Sequence, residues 1–196
     1  MVSLLFALSM LFSPAHHVSA QPVRHEVQDF APQTVNTGTP NQATPDASLP
    51  TADQDLTVEE AGLVALINSD RATQGLDPLV IDPRLTEIAR EHSRDMSDRR
   101  YFDHIAPGPG PASPMDRYLA YIGHRPAYAM VGENIYYRSV TDEPDQTQNQ
   151  AETAFMNSAG HRANILQPRF TKVGVGFYRG DNGQFWVTEM FLRDNQ

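Results

Sequence analysis

A chain of 196 residues has room for one ordinary domain and a short appendage. The formal net charge is -9, and the 15 lysines and arginines never form a run that could cover a phosphate backbone, so nucleic acid is not an expected partner. Because the chain has no cysteine, its stability must come from an apolar core or a bound ion rather than from disulfides.

The first residues have the pattern of an export signal. An apolar run from Leu4 to Phe12 is too short to span a bilayer as a helix, and Pro14 follows it. The small residues Val18-Ser19-Ala20 are what a signal peptidase accepts, so we expect cleavage after Ala20. We therefore predict a signal peptide over residues 1–20, a mature chain without a transmembrane segment, and a secreted or periplasmic location in a bacterium.

Residues 21–55 differ abruptly in composition from what precedes them. They are rich in Pro, Thr and Gln and contain few aliphatic side chains. Such a segment cannot bury enough surface to offset the loss of chain entropy on folding. We predict a disordered tether, and we expect a chain that begins at Asp53 to be as stable as the mature protein.

The folded domain is predicted over residues 56–196. Thr57 and Glu60 form a T-x-x-E capping box, in which each side chain accepts a backbone N–H of the first helical turn. Gly75 closes this first helix, since glycine is favoured just after a helix end.

A second helix is predicted from Asp82-Pro83, an N-cap residue followed by proline at the first helical position. Its apolar positions recur at helical spacing, and His92 falls on the same stripe. A histidine on an apolar stripe is more often a hydrogen-bonded core residue than a ligand. We therefore assign His92 to the core.

The middle of the chain alternates irregular and periodic segments. Residues 106–114 are too rich in Pro and Gly for regular structure, and residues 115–122 have the pattern of a short helix. Residues 132–137 are predicted to be a turn that enters a strand. A further helix is predicted over about residues 148–158.

The clearest strand pair comes last. Residues 173–178 and 185–191 have strand patterns, and the Asp-Asn-Gly between them is a strong hairpin signal. Helices that precede an antiparallel pair favour an α+β layered fold over a parallel sheet with crossover helices.

Three polar residues could carry chemistry. His104 lies where a helix enters the Pro-rich loop, and His161 follows Gly160 just past a predicted helix end. Glu133 lies in an otherwise apolar stretch, where it is either a turn carboxylate that accepts backbone N–H groups or part of a site. Two imidazoles and a carboxylate could form a metal site with open positions or an acid and base pair.

Two further residues invite other interpretations. Ser158 precedes His161 by three positions, but the nucleophile motif G-x-S-x-G is absent and capping explains the pair. Glu189 lies on an apolar strand face, where a carboxylate needs a partner such as Arg162 or a histidine.

Five blocks, taken together and in this order, resemble the CAP superfamily of cysteine-rich secretory, antigen 5 and pathogenesis-related 1 proteins, in its bacterial SCP-like form. The blocks are H-S-x-D-M, Y-F-D-H, G-E-N-I, M-N-S-x-G-H-R-A-N-I-L and V-G-V-G-F. The resemblance covers about residues 63–191 and leaves out the predicted signal peptide and tether.

The resemblance implies a three-layer α-β-α sandwich with a central cleft that holds two histidines and two glutamates. His104 matches the first histidine, Glu133 the glutamate of G-E-N, and His161 the second histidine. Ser158 occupies the place of the fourth residue, a glutamate in eukaryotic members, as is typical of bacterial relatives. Glu152 or Glu189 could substitute for it.

These features lead to two hypotheses. The first is a binding module whose cleft, formed by His104, Glu133, Ser158, His161 and Glu189, takes a small-molecule or lipid ligand or a cell-envelope component. Zn²⁺ is the expected cofactor, held by His104, His161 and Glu133. The rival is a metal-assisted hydrolase of peptide or cell-wall substrates that uses the same three residues. A monomer is expected in either case.

Overall fold

The computed structural model describes residues 25–36, 56–139, 147–181 and 183–195. The predicted signal peptide, and residues 21–24 and 37–55 of the predicted tether, lie outside the described residues. The helices are α1 (Val58–Thr73), α2 (Pro83–Arg99), α3 (Pro114–Ile122), α4 (Thr147–Asn157) and α5 (Ala159–Ile165). The strands are β1 (His25–Asn36), β2 (Val80–Ile81), β3 (Tyr128–Arg138), β4 (Lys172–Arg179) and β5 (Phe185–Asp194).

The strands form one sheet in the order β1-β3-β5-β4-β2. Strands β1 and β3, β3 and β5, and β4 and β5 pair antiparallel, and the short β2 pairs parallel with β4. The predicted hairpin is confirmed, because β4 and β5 are consecutive and directly paired.

Helices cover both faces of this sheet. On one face α1, α4 and α5 contribute Leu63, Phe155 and Ile165 to a core that includes alternate residues of β4 and β5. On the other face α2 and α3 contribute Ile88 and Tyr118 to a second core against β3 and β5. The α+β prediction and the three-layer α-β-α sandwich are therefore confirmed.

Helix α2 lies directly on β4 because two glycines leave room for it. A Cβ atom at Gly174 would lie 2.2 Å from the backbone nitrogen of Thr86, and one at Gly176 would lie 2.1 Å from that of Arg90. These separations are far below van der Waals contact, so V-G-V-G-F is a close-packing signature. The contact fixes the position of α2, which leads into the loop that carries His104.

Local signals placed the helix starts correctly. Thr57 Oγ1 accepts the backbone N–H of Glu60 at 3.2 Å, and Glu60 Oε2 accepts that of Thr57 at 2.9 Å, so the predicted capping box is present. Asp82 caps α2 with Pro83 at its first position, as expected. Gly75 follows the end of α1 with a φ of +69°, a conformation that glycine adopts without strain.

Three sequence predictions need correction. Residues 25–36, assigned to a disordered tether, form β1 and pair with β3 from His25 opposite Arg138 to Asn36 opposite Tyr128. Residues 132–134 lie inside β3 rather than in a turn before it. His161 lies within α5, a separate short helix, rather than just past a helix end.

Candidate functional site

The alternation of side chains along β3 determines which polar residues can be in contact. Successive side chains of a strand point to opposite faces of the sheet. The side chain of Glu133 contacts residues of α2 and α3 and of the loop between them. Asn134 therefore faces the helices α1, α4 and α5, and its amide bonds to α5 and to Glu189 of β5.

Glu133 is fully buried at the centre of an ionic network. Its Oε1 accepts a hydrogen bond from His104 Nδ1 at 2.8 Å, and its Oε2 accepts one from Arg117 Nη2 at 2.5 Å. Arg117 Nη1 also donates to the carbonyl oxygens of Ala112 at 2.7 Å and His104 at 3.2 Å. Arg117 thus ties the carboxylate to the loop that presents His104.

This network keeps Glu133 ionised. Burial alone would raise its pKa, but the charge of Arg117, the proximity of His92 and the hydrogen bond from His104 lower the pKa to about 2. An ionised carboxylate can only accept hydrogen bonds, so His104 carries its proton on Nδ1. The cost of removing the charges of Glu133 and Arg117 from water is offset by the direct hydrogen bond between them.

His92 completes the network from α2. Its ring is 1% exposed, as the core assignment requires, and its Nδ1 lies 3.4 Å from the hydroxyl of Tyr101. Its Nε2 lies 3.6 Å from Glu133 Oε1. Burial lowers the pKa of His92 to about 4, so the ring is neutral at neutral pH.

A cavity of about 610 Å³ opens beside this network, between α2, α3 and residues 106–111. His92 and Arg117 form part of its wall, next to the apolar surface of Ile88, Ala120 and Tyr121. Two buried nitrogens on these side chains, Nε of Arg117 and Nε2 of His92, have no hydrogen-bond partner among the described residues. Both nitrogens are inaccessible, and His92 Nε2 faces Glu133, so what the cavity offers a ligand is its apolar wall and the charged side chains of its lining.

His161 lies on the opposite face of the sheet. Its buried ring packs on Phe155 of α4 with centroids 5.2 Å apart. Asn134 Nδ2 donates to the carbonyl oxygen of His161 at 3.2 Å and to Glu189 Oε2 at 2.8 Å. Ser158 is the N-cap residue of α5 on this same side.

A pair of acids accompanies His161 on that face. Glu189 is fully buried and interacts with Glu152 of α4, which is also buried. Burial raises the pKa of both carboxyl groups, and the charge of Glu189 raises that of Glu152 further. The pair therefore retains a proton at a pH where Glu133 has lost its own.

The structure thus divides the predicted site in two. It brings His104 and Glu133 into contact and places His161, Ser158 and Glu189 on the far face. No three histidines, aspartates and glutamates among the described residues are arranged to hold a metal ion. The Glu133 network does not fit one either, because both carboxylate oxygens are engaged and the Arg117 guanidinium opposes a second cation.

Sequence reasoning missed two members of the network. Arg117 lies on a nine-residue helix, and nothing in the pattern of that helix separates it from a solvated surface residue. His92 was correctly assigned to the core, but its contact with Glu133 depends on how α2 packs across the sheet. If G-E-N-I is assigned to a strand rather than a turn, the alternation of side chains predicts that Glu133 and Asn134 lie on opposite faces of the sheet.

Fold and site together define a class of protein: an α-β-α sandwich with a buried histidine and glutamate pair beside a cleft. The family model for CAP, the cysteine-rich secretory protein family, matches residues 64–191. That match covers more than half of the chain, so the chain belongs to the CAP family. The resemblance found in the sequence is confirmed.

Relatives in bacteria support this assignment. The chain is 41% identical to the Bacillus subtilis protein YkwD over 133 residues, which make up 68% of this chain and 46% of YkwD. The chain therefore spans less than half of that relative's length.

Solved structures are similar as well. An extracellular SCP-domain protein of Bacillus anthracis matches with a TM-score of 0.55 and 29% identity, over 69% of this chain and 40% of that one. An outer surface protein of Borrelia burgdorferi matches with a TM-score of 0.56 and 19% identity, over 69% and 92%, and this likeness concerns the fold alone. Within the described part of the chain, no helix is both long and apolar enough to cross a membrane.

Proposed function

We propose that this CAP domain is an exported binding module that holds a small amphipathic ligand in the cleft beside Glu133. One observation carries the proposal: a cavity of about 610 Å³ places the cationic side chain of Arg117 next to the apolar surface of Ile88 and Tyr121. A cavity of this size that combines an apolar wall with a few polar groups suits a small organic molecule.

The lining suggests the chemistry of the ligand. Ile88, Ala106 and Tyr121 supply an apolar wall. The charged residues of the lining are Arg94, Arg99 and Arg117 with Glu91, Asp95 and Asp98. A carboxylate or another strong acceptor would pair with one of these guanidinium groups, while a short hydrocarbon body would cover the apolar surface. A fatty acid of medium length has both features.

The same geometry favours binding over hydrolysis. Glu133 is engaged by Arg117 and His104, which leaves it a poor general base at a pKa of about 2. Ser158 lies across the sheet from this network. Zinc binding stays a prediction from the sequence that the arrangement of the described residues does not support.

An extracellular or periplasmic location is part of the proposal. The apolar run near the start of the sequence has the pattern of a secretory signal. Among the structural neighbours, one is an extracellular protein and one an outer surface protein. A monomer whose partner is a small molecule, a lipid or a cell-envelope component fits these features.

A ligand titration with a matched pair of substitutions tests the proposal. Ala120 lies on the cavity wall and Ala72 lies on α1 on the other side of the sheet, and both are accessible on their helices. Ala120→Trp should fill the cleft and weaken decanoate binding by about tenfold or more, a loss of about 1.4 kcal/mol, whereas Ala72→Trp should leave it unchanged. Isothermal titration calorimetry measures both.

The head group and the catalytic rival are tested with the same proteins. Decanol, which lacks the carboxylate, should bind more weakly than decanoate. Equal decanoate binding by the two tryptophan variants would contradict the proposed cleft. If the protein hydrolyses casein or purified cell wall and Ala120→Trp abolishes that activity, the hydrolase hypothesis is favoured over the binding module.

A further inference from the structure

A second cavity, separate from the cleft beside Glu133, is lined mainly by aromatic residues. It has a volume of about 580 Å³ and lies where α2 ends, beside the hairpin of β4 and β5. We call it the aromatic groove. The aromatic residues that line it are Tyr101, Phe102, Tyr137, Tyr178 and Trp186.

The aromatic side chains form a connected platform. Tyr137 and Trp186 pack with centroids 4.3 Å apart, and Phe102 lies 6.0 Å from Tyr137 and 6.1 Å from Trp186. Trp186 is 6% exposed, whereas Tyr137 and Tyr178 are only half-buried. Part of the platform is therefore accessible to a ligand.

The groove also has polar groups that suit an uncharged, hydroxyl-rich partner. Asp98, Asp181, Gln184 and Ser97 lie among its lining residues and offer hydrogen-bond acceptors at its edge. Arg100 also lines the groove, and the guanidinium groups of Arg94 and Arg99 lie 5.6 and 5.5 Å from the ring centroids of Tyr178 and Tyr101. Charges of both signs therefore surround the groove, and a neutral ligand suits it better than an ion of either sign.

From these features we infer that the aromatic groove is a saccharide-binding site that takes neutral pyranose rings. The C–H face of a pyranose carries partial positive charge and stacks on the negative face of an aromatic ring. Its hydroxyl groups would donate to the exposed carboxylates of Asp98 and Asp181. The groove and the cleft beside Glu133 share Asp98 as a lining residue, so one face of the domain would hold both ligands.

The single tryptophan of the chain provides a direct readout, because Trp186 lies in the groove. Titrating the mature chain with triacetylchitotriose and with cellotriose should give a saturable change in tryptophan emission with at least one of them. Tyr178→Ala should weaken that binding by about tenfold, and the matched change Tyr121→Ala, in the other cavity, should not alter it. Asp181→Ala, at an exposed position, should weaken it several-fold and serves where Tyr178→Ala does not fold.

Two results would overturn the inference. One is the absence of any change in tryptophan emission with either saccharide, whether or not a proline-rich peptide such as octaproline produces a change. The other is saccharide binding that Tyr121→Ala weakens as much as Tyr178→Ala and Asp181→Ala do. Neither result bears on decanoate binding in the cleft beside Glu133.

Discussion

The neighbouring residues Glu133 and Asn134 lie on opposite faces of the sheet, and the buried acid on each face has a different protonation state. Glu133 meets Arg117 and His104, and these partners hold the pKa of its carboxyl at about 2. Burial raises the pKa of the Glu189 carboxyl on the Asn134 side, and the hydrogen bond from the Asn134 amide offsets that rise only in part. One acid is thus ionised and the other protonated because their partners differ.

Replacing Glu152 by Gln should reduce the loss of stability with rising pH. The pKa values of Glu152 and Glu189 are raised in the folded state, so that state binds more protons than the unfolded chain above about pH 4.3. Their contribution is fully present below that pH and is lost as pH rises toward the folded values. Urea unfolding of wild type and Glu152→Gln between about pH 5 and 8 measures the two slopes.

A half-buried carboxylate at the far end of α1 provides the control for this slope. Glu59 lies in the first turn of α1, away from the acid pair, and Glu59→Gln should keep the pH dependence of the wild type. If Glu152→Gln and Glu59→Gln show the same slope, the acid pair does not account for the pH dependence.

Asn164 is expected to stabilise both the fold and the presentation of Glu133. It is buried in α5, and its Nδ2 donates to the carbonyl oxygen of Glu133 at 3.2 Å and to Asn134 Oδ1 at 2.9 Å. Asn164→Ala leaves these two buried acceptors without that donor, which should cost about 1–3 kcal/mol in the free energy of unfolding. Asn157→Ala, at an exposed position, should cost much less. If Asn164→Ala unfolds at the same urea concentration as the wild type, Asn164 does not stabilise the fold in this way.

At the level of elements, the helices were predictable because their signals are local. The capping box of Thr57 and Glu60 and the Asp82-Pro83 start act within one turn of the chain. The hairpin of β4 and β5 was predictable for the same reason, since its turn residues lie between the two strands.

Strand β1 was not predictable because its evidence is not local. Residues 25–36 include Pro32 and several polar side chains, a composition that suits a tether as well as it suits an edge strand. What orders the segment is pairing with β3, about a hundred positions along the chain. The register shift between Phe30 and Gln33 lies around that proline and is an irregularity that an edge strand tolerates.

A chain that begins at Asp53 is now expected to be less stable than the mature chain, which reverses the expectation from composition. Removing β1 exposes the backbone edge of β3, including the segment that carries Glu133. The melting temperature should fall by more than about 4–8 °C, the shift that about 1 kcal/mol produces in a small domain. Differential scanning calorimetry of the two chains measures the difference.

A substitution in the full mature chain separates pairing from chain length. Thr34 pairs with Met130, and Thr34→Pro should destabilise the sheet without shortening the chain. If the mature chain, the Asp53 chain and Thr34→Pro have equal melting temperatures, residues 25–36 do not stabilise the domain and belong to the tether as first predicted.

The candidate site was only half predictable for a related reason. The resemblance to CAP proteins named His104 and Glu133, and the structure brings these two side chains into contact. It could not reveal that His161 lies across the sheet, because that depends on the alternation of β3 and on the packing of α5. Arg117 joins the network only through the three-dimensional placement of α3.

On the scale of the whole molecule, the sheet acts as a partition between two buried polar clusters. Glu133, His104, His92 and Arg117 form the cluster on the α2 and α3 side, next to the 610 Å³ cavity. Asn134, Glu189, Glu152 and His161 form the other, against α4 and α5. The proposed ligand cleft therefore depends on the first cluster and not on His161.

The most direct test of this partition is a comparison of imidazole ¹H–¹⁵N NMR spectra of the mature chain and its Glu133→Gln variant. The signals of His92 and His104 should move, because both rings lie against the carboxylate that is neutralised. The signal of His161 should move no more than that of His124, which lies in an exposed loop. A displacement of His161 as large as that of His104 would mean that the two histidines share one site and would contradict the partition.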